Sequence, residues 1–368
     1  MITILFIGDV VGEPGRTAVK HMLPELKREH GADFIIVNGE NAAAGRGITP
    51  RLAQELLHAG VDVITTGDHV WDQAELAPWL ESEPRVLRPV NYPQGTPGHG
   101  SVVVETPKGK IAVMQVQGRS FIQPPLENPF LISEAEAKRL REEKGVRVIF
   151  VDMHAETTSE KISTGYNLDG LVSAVIGTHT HVQTADETIL EHGTAYLTDA
   201  GMCGPVDSIL GMRPEPIVQR FLTALPARFE VAEGPVLLHG ALIDIDETTG
   251  RAERVEAEAL GDEPLDQLAT TAVVVLAAGA VHHRLVVDVG ELHGDQRVAA
   301  LGLDADLRHL RGPLSHLGQH HAGLAVGQRR ADGAVVERGQ PAGGQPLEGG
   351  HVGGDGAQQQ RLRQPQVP

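Results

Sequence analysis

The chain has 368 residues, 41% of them hydrophobic and 22% charged, which allows two ordinary domains or one large α/β domain and requires no disulfide or metal staple. No stretch approaches the roughly 20 apolar residues that cross a bilayer, so no membrane association is expected. A formal charge of −18 argues against phosphate-backbone affinity as the main activity, because non-specific nucleic-acid binding rests on basic patches.

In chain order, residues 2–7 form a short apolar run that passes directly into the turn residues of IGDVVGEPG. It lacks a basic n-region and a small-residue cleavage site, so it reads as a first buried strand and not as a signal peptide. The spacing then predicts a helix over 16–29, a strand over 34–37, a helix over 50–59 and a strand over 61–65. Pro50 suits the first helical position, with Thr49 as the cap. The three strands end in Gly-Asp, Gly-Glu and Gly-Asp. This β-α-β-α-β order implies parallel strands with right-handed crossovers, whose ligand sites lie at the carboxyl ends of the strands. Trp71 and Trp79 follow, about two helical turns apart, and are expected to pack and not to stack a base. Further apolar runs at 101–105, 111–115, 146–151, 171–176, 188–190, 195–198 and 236–245 are too many strands for one open sheet. Two sheets packed face to face, with helices outside, are the expected α/β solution.

The composition breaks near residue 256. From Glu256 to Pro368 there is no Lys, Ile, Met, Phe, Trp, Tyr, Asn or Cys, and the segment ends in GGQPLEGGHVGGDGAQQQRLRQPQVP. Few bulky groups and much Gly, Gln and Pro are the profile of low complexity. The expected division is a folded domain over 1–255 and a tail over 256–368, disordered or derived from a shifted reading frame in GC-rich DNA, in which only 269–289 looks foldable. The tail histidines lack ordered ligand spacing and are not expected to bind metal. Cys203 is the one cysteine, so no internal disulfide can form. With no signal peptide recognised, a reducing cytoplasm is the expected location. Cys203 itself lacks an evident catalytic partner and reads as structural.

The polar residues at strand ends carry the chemistry. They are Asp9 in IGDVVG, Glu40 and Asn41 in VNGENAAAGRG, Asp68 and His69 in TTGDHVWD, His154 in VDMHAE, and His179 and His181 in IGTHTH. Parallel-sheet geometry can gather such ends on one rim. Carboxylates, one amide and several imidazoles without thiolates suit iron, manganese or zinc better than copper(I) or an iron–sulfur cluster. The set suffices for two ions, which a shared carboxylate could hold about 3.5–4 Å apart around a phosphoryl group. On an extended segment, His179 and His181 would point to the same face.

These blocks in this order resemble the calcineurin-like metallophosphoesterases. More narrowly, IGDVVGEPGR, VNGENAAAGRGIT, GDHVWD, DMHAETTSEK and GTHTHVQTADE resemble the bacterial YmdB-like branch, from Met1 to about Val255. The resemblance implies a four-layer α/β-β/α sandwich of the metallophosphoesterase type with a di-iron site, followed by a low-complexity C-terminal tail without counterpart. It implies that Asp9 and His181 hold the first metal, that Glu40 bridges both, and that Asn41, Asp68, His154 and His179 serve the second, with His69 as the catalytic acid. It further implies self-association, with residues 121–129 as a protruding loop, and hydrolysis of 2′,3′-cyclic nucleotides to 3′-nucleotides by a metal-bridged hydroxide. Two departures stand out. Val11 lies where a ligand His is common in the wider superfamily, and Asp68 replaces the amide of the branch's usual Gly-Asn-His, which adds a negative charge beside the phosphate. The alternatives are a broader phosphomonoesterase or RNase on the same metals, and a weakly catalytic regulatory nucleotide-binding protein. Arg46 and Arg119 could meet a substrate phosphate but read first as solvated surface groups. Lys161 and the Thr157–Thr158 pair resemble family residues near the site.

Overall fold

The computed structural model describes residues 1–260 in full and the backbone of residues 261–263, 271–278 and 281–288. The first half comprises β1 (Ile2–Ile7), β2 (Asp9–Val10), α1 (Gly12–Glu29), β3 (Phe34–Asn38), α2 (Pro50–His58), β4 (Val63–Thr65) and α3 (Leu76–Leu80). The second half comprises β5 (Ser101–Thr106), β6 (Gly109–Gln117), α4 (Pro129–Glu142), β7 (Val148–His154), α5 (Thr158–Leu168), β8 (Ala174–Thr178), β9 (Thr188–Ile189) and β10 (Ala195–Leu197). After these come β11 (Met202–Pro205), α6 (Pro214–Thr223), β12 (Val236–Ile245), β13 (Ala252–Glu263) and a hairpin of β14 (Thr271–Ala278) and β15 (Val281–Asp288).

Two sheets carry the fold. The first has the order β2-β11-β12-β1-β3-β4, with β13 also paired to β12; the second has the order β5-β6-β7-β8-β10-β9. Strands β1, β3 and β4 are parallel, as are β6, β7, β8 and β10, while β12 returns antiparallel to β1.

Alternation along each strand sorts the core into three layers. Ile4, Phe6 and Ile36 from the first sheet meet Ile111, Val113 and Phe150 from the second, and the Phe6 and Phe150 rings lie 4.9 Å apart. The opposite face of the first sheet, with Leu5, Ile35 and Val37, packs on Val19 and Leu23 of α1 and Leu52 and Leu56 of α2. The opposite face of the second, with Met114, Ile149 and Val151, packs on Leu140 of α4 and Leu168 of α5. Helix, sheet, sheet and helix therefore form four layers, as expected from the sequence.

For the elements expected from the sequence, the differences lie at their ends. Helix α1 begins about a turn before the predicted start, because Pro14 sits in the first turn, where its missing N–H is not needed. Gly12 enters the helix with φ of 61° and donates to the Asn41 carbonyl at 2.9 Å. Strand β7 runs on to His154, beyond the predicted end at 151. Helix α2 starts as predicted, with Thr49 Oγ1 accepting from the Leu52 N–H at 3.2 Å. The compositional break at Glu256 falls inside β13, whose pairing with β12 runs from Ala252 to Glu263. The two hairpin strands fall within 269–289, and the rest of the predicted tail, including its readings as disordered and frame-shifted, lies outside the described residues. Among the described residues no helix is long and apolar enough to cross a membrane.

Candidate metal centre

The parallel strands of both sheets aim their carboxyl ends at one rim. Asp9 follows β1, Glu40 and Asn41 follow β3, Asp68 and His69 follow β4, His154 is the last residue of β7, and His179 and His181 follow β8. All eight sequence-predicted residues therefore come from the same edge of the sandwich.

Two groups of donor atoms result. Glu40, Asp68, His154 and His179 form one, and Asp9, Glu40 and His181 the other, with the atoms of each within 4.8 Å of one another. Glu40 belongs to both. In the first group His154 Nε2 lies 3.0 Å from Asp68 Oδ1, 3.1 Å from Glu40 Oε2 and 3.0 Å from His179 Nδ1. In the second, His181 Nε2 lies 3.9 Å from Asp9 Oδ1. The Asn41 amide is 3.1 Å from both Glu40 Oε1 and His181 Nε2. It therefore sits with Asp9 and His181, and not with Asp68, His154 and His179, the group to which the family resemblance assigns it.

The backbone explains how His179 and His181 reach separate groups. The extended H-x-H expected from the sequence does not form: His179 has φ of 93° and His181 φ of 65°. This left-handed backbone costs a non-glycine residue on the order of 1–3 kcal/mol and persists only where its surroundings enforce it. Thr180, between them, is clamped by Asp199, which accepts from its N–H at 3.2 Å and from its hydroxyl at 2.5 Å. Lys161 Nζ, fully buried, closes the clamp at 2.7 Å from Asp199 Oδ2 and 3.1 Å from Thr180 Oγ1.

The donor set fits cations. Asp9 Oδ1 and Glu40 Oε2 are buried and accept no well-formed hydrogen bond, a costly state for anionic oxygens without a positive charge nearby. Each imidazole presents one nitrogen to the acidic groups while an acceptor holds the other. His154 Nδ1 is 2.9 Å from Thr178 Oγ1, His181 Nδ1 is 3.2 Å from the Leu210 carbonyl, and His179 Nε2 is 3.1 Å from Glu156 Oε2. Such outer partners fix the tautomer and ring orientation of metal-ligating histidines. Gly67 makes this crowding possible, since a Cβ there would collide with Glu40 Oε2 and His154 Nε2.

The electrostatics follow from burial and proximity. Burial alone would raise Glu40 and Asp68, yet the neighbouring imidazoles outweigh it and hold both below their usual carboxylate range. Burial would likewise keep His154 neutral, but Glu40 and Asp68 drive it well above its ordinary value. Asp9 moves up, because burial outweighs the attraction of His181. Closely opposed lone pairs thus call for positive charge between them, whether protons or metal cations.

Several contributors escaped the sequence reading. Asp152 is buried and joins the sheets, accepting from Thr178 Oγ1 at 2.6 Å, Thr65 Oγ1 at 2.5 Å and Asn38 Nδ2 at 2.9 Å. Its place in VDMHAE, two residues before His154 on a strand, was the available signal, because both then face the same way. Asp72 Oδ2 lies 3.2 Å from His69 Nδ1 and accepts from Arg46 Nε at 2.8 Å. Arg46 and Arg119 are exposed, and Cys203 is buried in β11, where its thiol contacts the His239 carbonyl. Burial first, then the charge of Asp9, pushes that thiol well up, consistent with a structural role.

A family model for YmdB-like protein matches residues 5–257. The chain is 50% identical over 260 residues to a 2′,3′-cyclic-nucleotide 2′-phosphodiesterase of Bacillus subtilis (strain 168), covering 71% of this chain and 97% of that relative. A crystal structure of a hypothetical protein from Thermus thermophilus superposes with a TM-score of 0.66 at 42% identity, covering 72% of this chain and 100% of the other. A phosphatase from Mycoplasma pneumoniae superposes with the same TM-score at 36% identity, covering 70% and 92%.

Proposed function

Because the chain belongs to the YmdB-like protein family, we propose that it is a two-metal phosphodiesterase that opens 2′,3′-cyclic nucleotides to 3′-nucleotides. The observation that carries this reading is the sharing of Glu40 by two donor groups. Asp9, Glu40, Asn41 and His181 would hold one cation, and Glu40, Asp68, His154 and His179 the other. Iron fits this mixed oxygen and nitrogen set, as do manganese and zinc. Bound there, two cations would neutralise the non-bridging oxygens of the diester and make water nucleophilic near neutral pH.

Water adds to phosphorus, the P–O2′ bond breaks, and the 2′ oxygen leaves with a proton, giving the 3′-monoester. His69, next to Asp68 in the chain, would supply that proton, a role worth about 10²–10⁴-fold. Asp72 holds its Nδ1 side and leaves Nε2 as the proton carrier. Asp68 makes the site one charge more negative than an amide would, which favours tight metal binding over fast turnover.

The reading extends to a cytoplasmic enzyme that self-associates through the loop at 121–129, where Phe121 is 89% exposed. Its catalytic domain is residues 1–255 with the remainder of β13, and the low-complexity tail takes no part.

The test is hydrolysis of 2′,3′-cyclic AMP by iron- or manganese-loaded protein. Metal-dependent release of 3′-AMP is expected, and an Asp9→Asn/His181→Ala double variant should lose it together with metal. His69→Ala should retain both metals by elemental analysis while turnover falls by about a hundredfold or more. Fully metallated wild-type protein without turnover would favour the regulatory alternative.

A further inference from the structure

A cavity of about 570 Å³ lies against the segment that carries His69. Its walls are Trp71, Tyr92, Pro93, Pro124, Pro125 and Leu126, with Thr96 and Glu127 as polar groups. Trp71 follows His69 by two residues and meets Tyr92 edge to face, the ring centroids 5.6 Å apart at 77°. Trp71, Trp79 and Tyr92 all pack beside the core of the first sheet, and Trp79 does not line this cavity. Both tryptophans pack as expected from the sequence, and Trp71 in addition faces the cavity.

Three observations point to a ligand of particular chemistry. The walls are flat aromatic rings and prolines, which suit a planar ring system more than a flexible chain. The Tyr92 hydroxyl is buried beside the Trp71 side chain, so the two rings brace each other and form the apolar wall together. The cavity also adjoins the His69 segment through Trp71, two residues further along the chain. Burial, with the Asp68 and Asp72 carboxylates adding to it, outweighs the Trp71 contact and raises the Tyr92 phenol; Asp68 adjoins His69 in the chain and Asp72 lies 3.2 Å from its Nδ1.

The reaction geometry supplies the rest. If His69 protonates the departing 2′ oxygen, it stands beside C2′ of the ribose. The base hangs from C1′, one bond away, so it must project past the His69 side of the site.

We propose that the Trp71–Tyr92 cavity receives the nucleobase of the cyclic nucleotide and makes the enzyme selective for nucleotides over cyclic phosphates that lack a base. This rests on the phosphodiesterase reading above and adds a specificity site to it. Trp71 stacks on the base, while the Tyr92 ring completes the pocket. Base–aromatic stacking tolerates all bases, because each has a π face.

The experiment compares kcat/KM for 2′,3′-cyclic AMP with that for the 2,3-cyclic phosphate of 1-O-methylribose, in metal-loaded full-length protein. The wild type should prefer the nucleotide by about tenfold or more, a range expected for one stacked base. Trp71→Leu and Tyr92→Leu should each lower that ratio about tenfold, and Trp71→Phe, which keeps an aromatic face, should restore most of it. Equal use of both esters by the wild type overturns the proposal whether or not the variants fold, as does an unchanged ratio in both leucine variants. A wild type that hydrolyses neither ester overturns the phosphodiesterase reading itself, which is a distinguishable result.

Discussion

At the level of single residues, the site is a problem in charge placement. Asp9, Glu40 and His154 are fully buried or nearly so, and a Born-type cost falls on every ion removed from water unless opposite charge is close. The chain meets this cost with imidazoles, each fixed by a second partner. The Thr178 hydroxyl shows the logic: it donates to Asp152 at 2.6 Å and therefore accepts from His154 Nδ1–H at 2.9 Å, so that Nε2 faces Glu40 and Asp68 and is the nitrogen that takes up a proton or a cation there. Thr178→Val keeps the shape but removes the relay. Metal affinity, measured by competition with a chelator, should fall about 10–100-fold, the usual effect of losing such an outer partner. Unchanged affinity would mean that packing alone orients His154.

At the level of elements, clean alternation and clear caps made some segments readable in advance. Strand β1 alternates faces, with Leu5 and Ile7 towards the helices and Ile4 and Phe6 towards the other sheet. Helix α2 announces itself by Thr49 and Pro50. Helix α4 carried a similar signal, since Asn128 caps the Phe130 and Leu131 N–H groups and Pro129 follows at the first position. Its charged PFLISEAEAKRLRE sequence hid the apolar face, where Ala137 and Leu140 are buried. Phe150 is the element-level test, because it lies fully buried between the sheets. Phe150→Ala should destabilise the protein by about 3–5 kcal/mol, measured by chemical denaturation, whereas a loss below about 1 kcal/mol would mean that the inter-sheet layer readily collapses to fill the gap.

At the level of the whole molecule, catalysis and stability are placed in different parts of one sandwich. The three core layers hold the sheets together, and the rim takes the polar groups that those layers exclude. Strand β13 closes the first sheet against β12 and ends at Glu263. A chain ending at Glu263 should therefore keep the metal content and the catalytic rate of the full-length protein within about twofold. Loss of metal or of the folded state on that truncation would make residues beyond Glu263 part of the functional unit.

The sequence by itself determined the four-layer class and the identity of the rim residues, because period-two apolar runs and strand-end polar motifs are local properties of the chain. It could not determine which donors lie together. That depends on how two sheets meet and on the left-handed backbone at His179 and His181, both set by contacts between residues far apart in the chain. The association of Asn41 with His181, the reach of Asp152 to Asn38 and Thr65, and the meeting of Trp71 with Tyr92 were all decided there. Only tertiary structure brings these distant side chains within bonding distance, and a strand or turn motif carries no information about its neighbour across the fold.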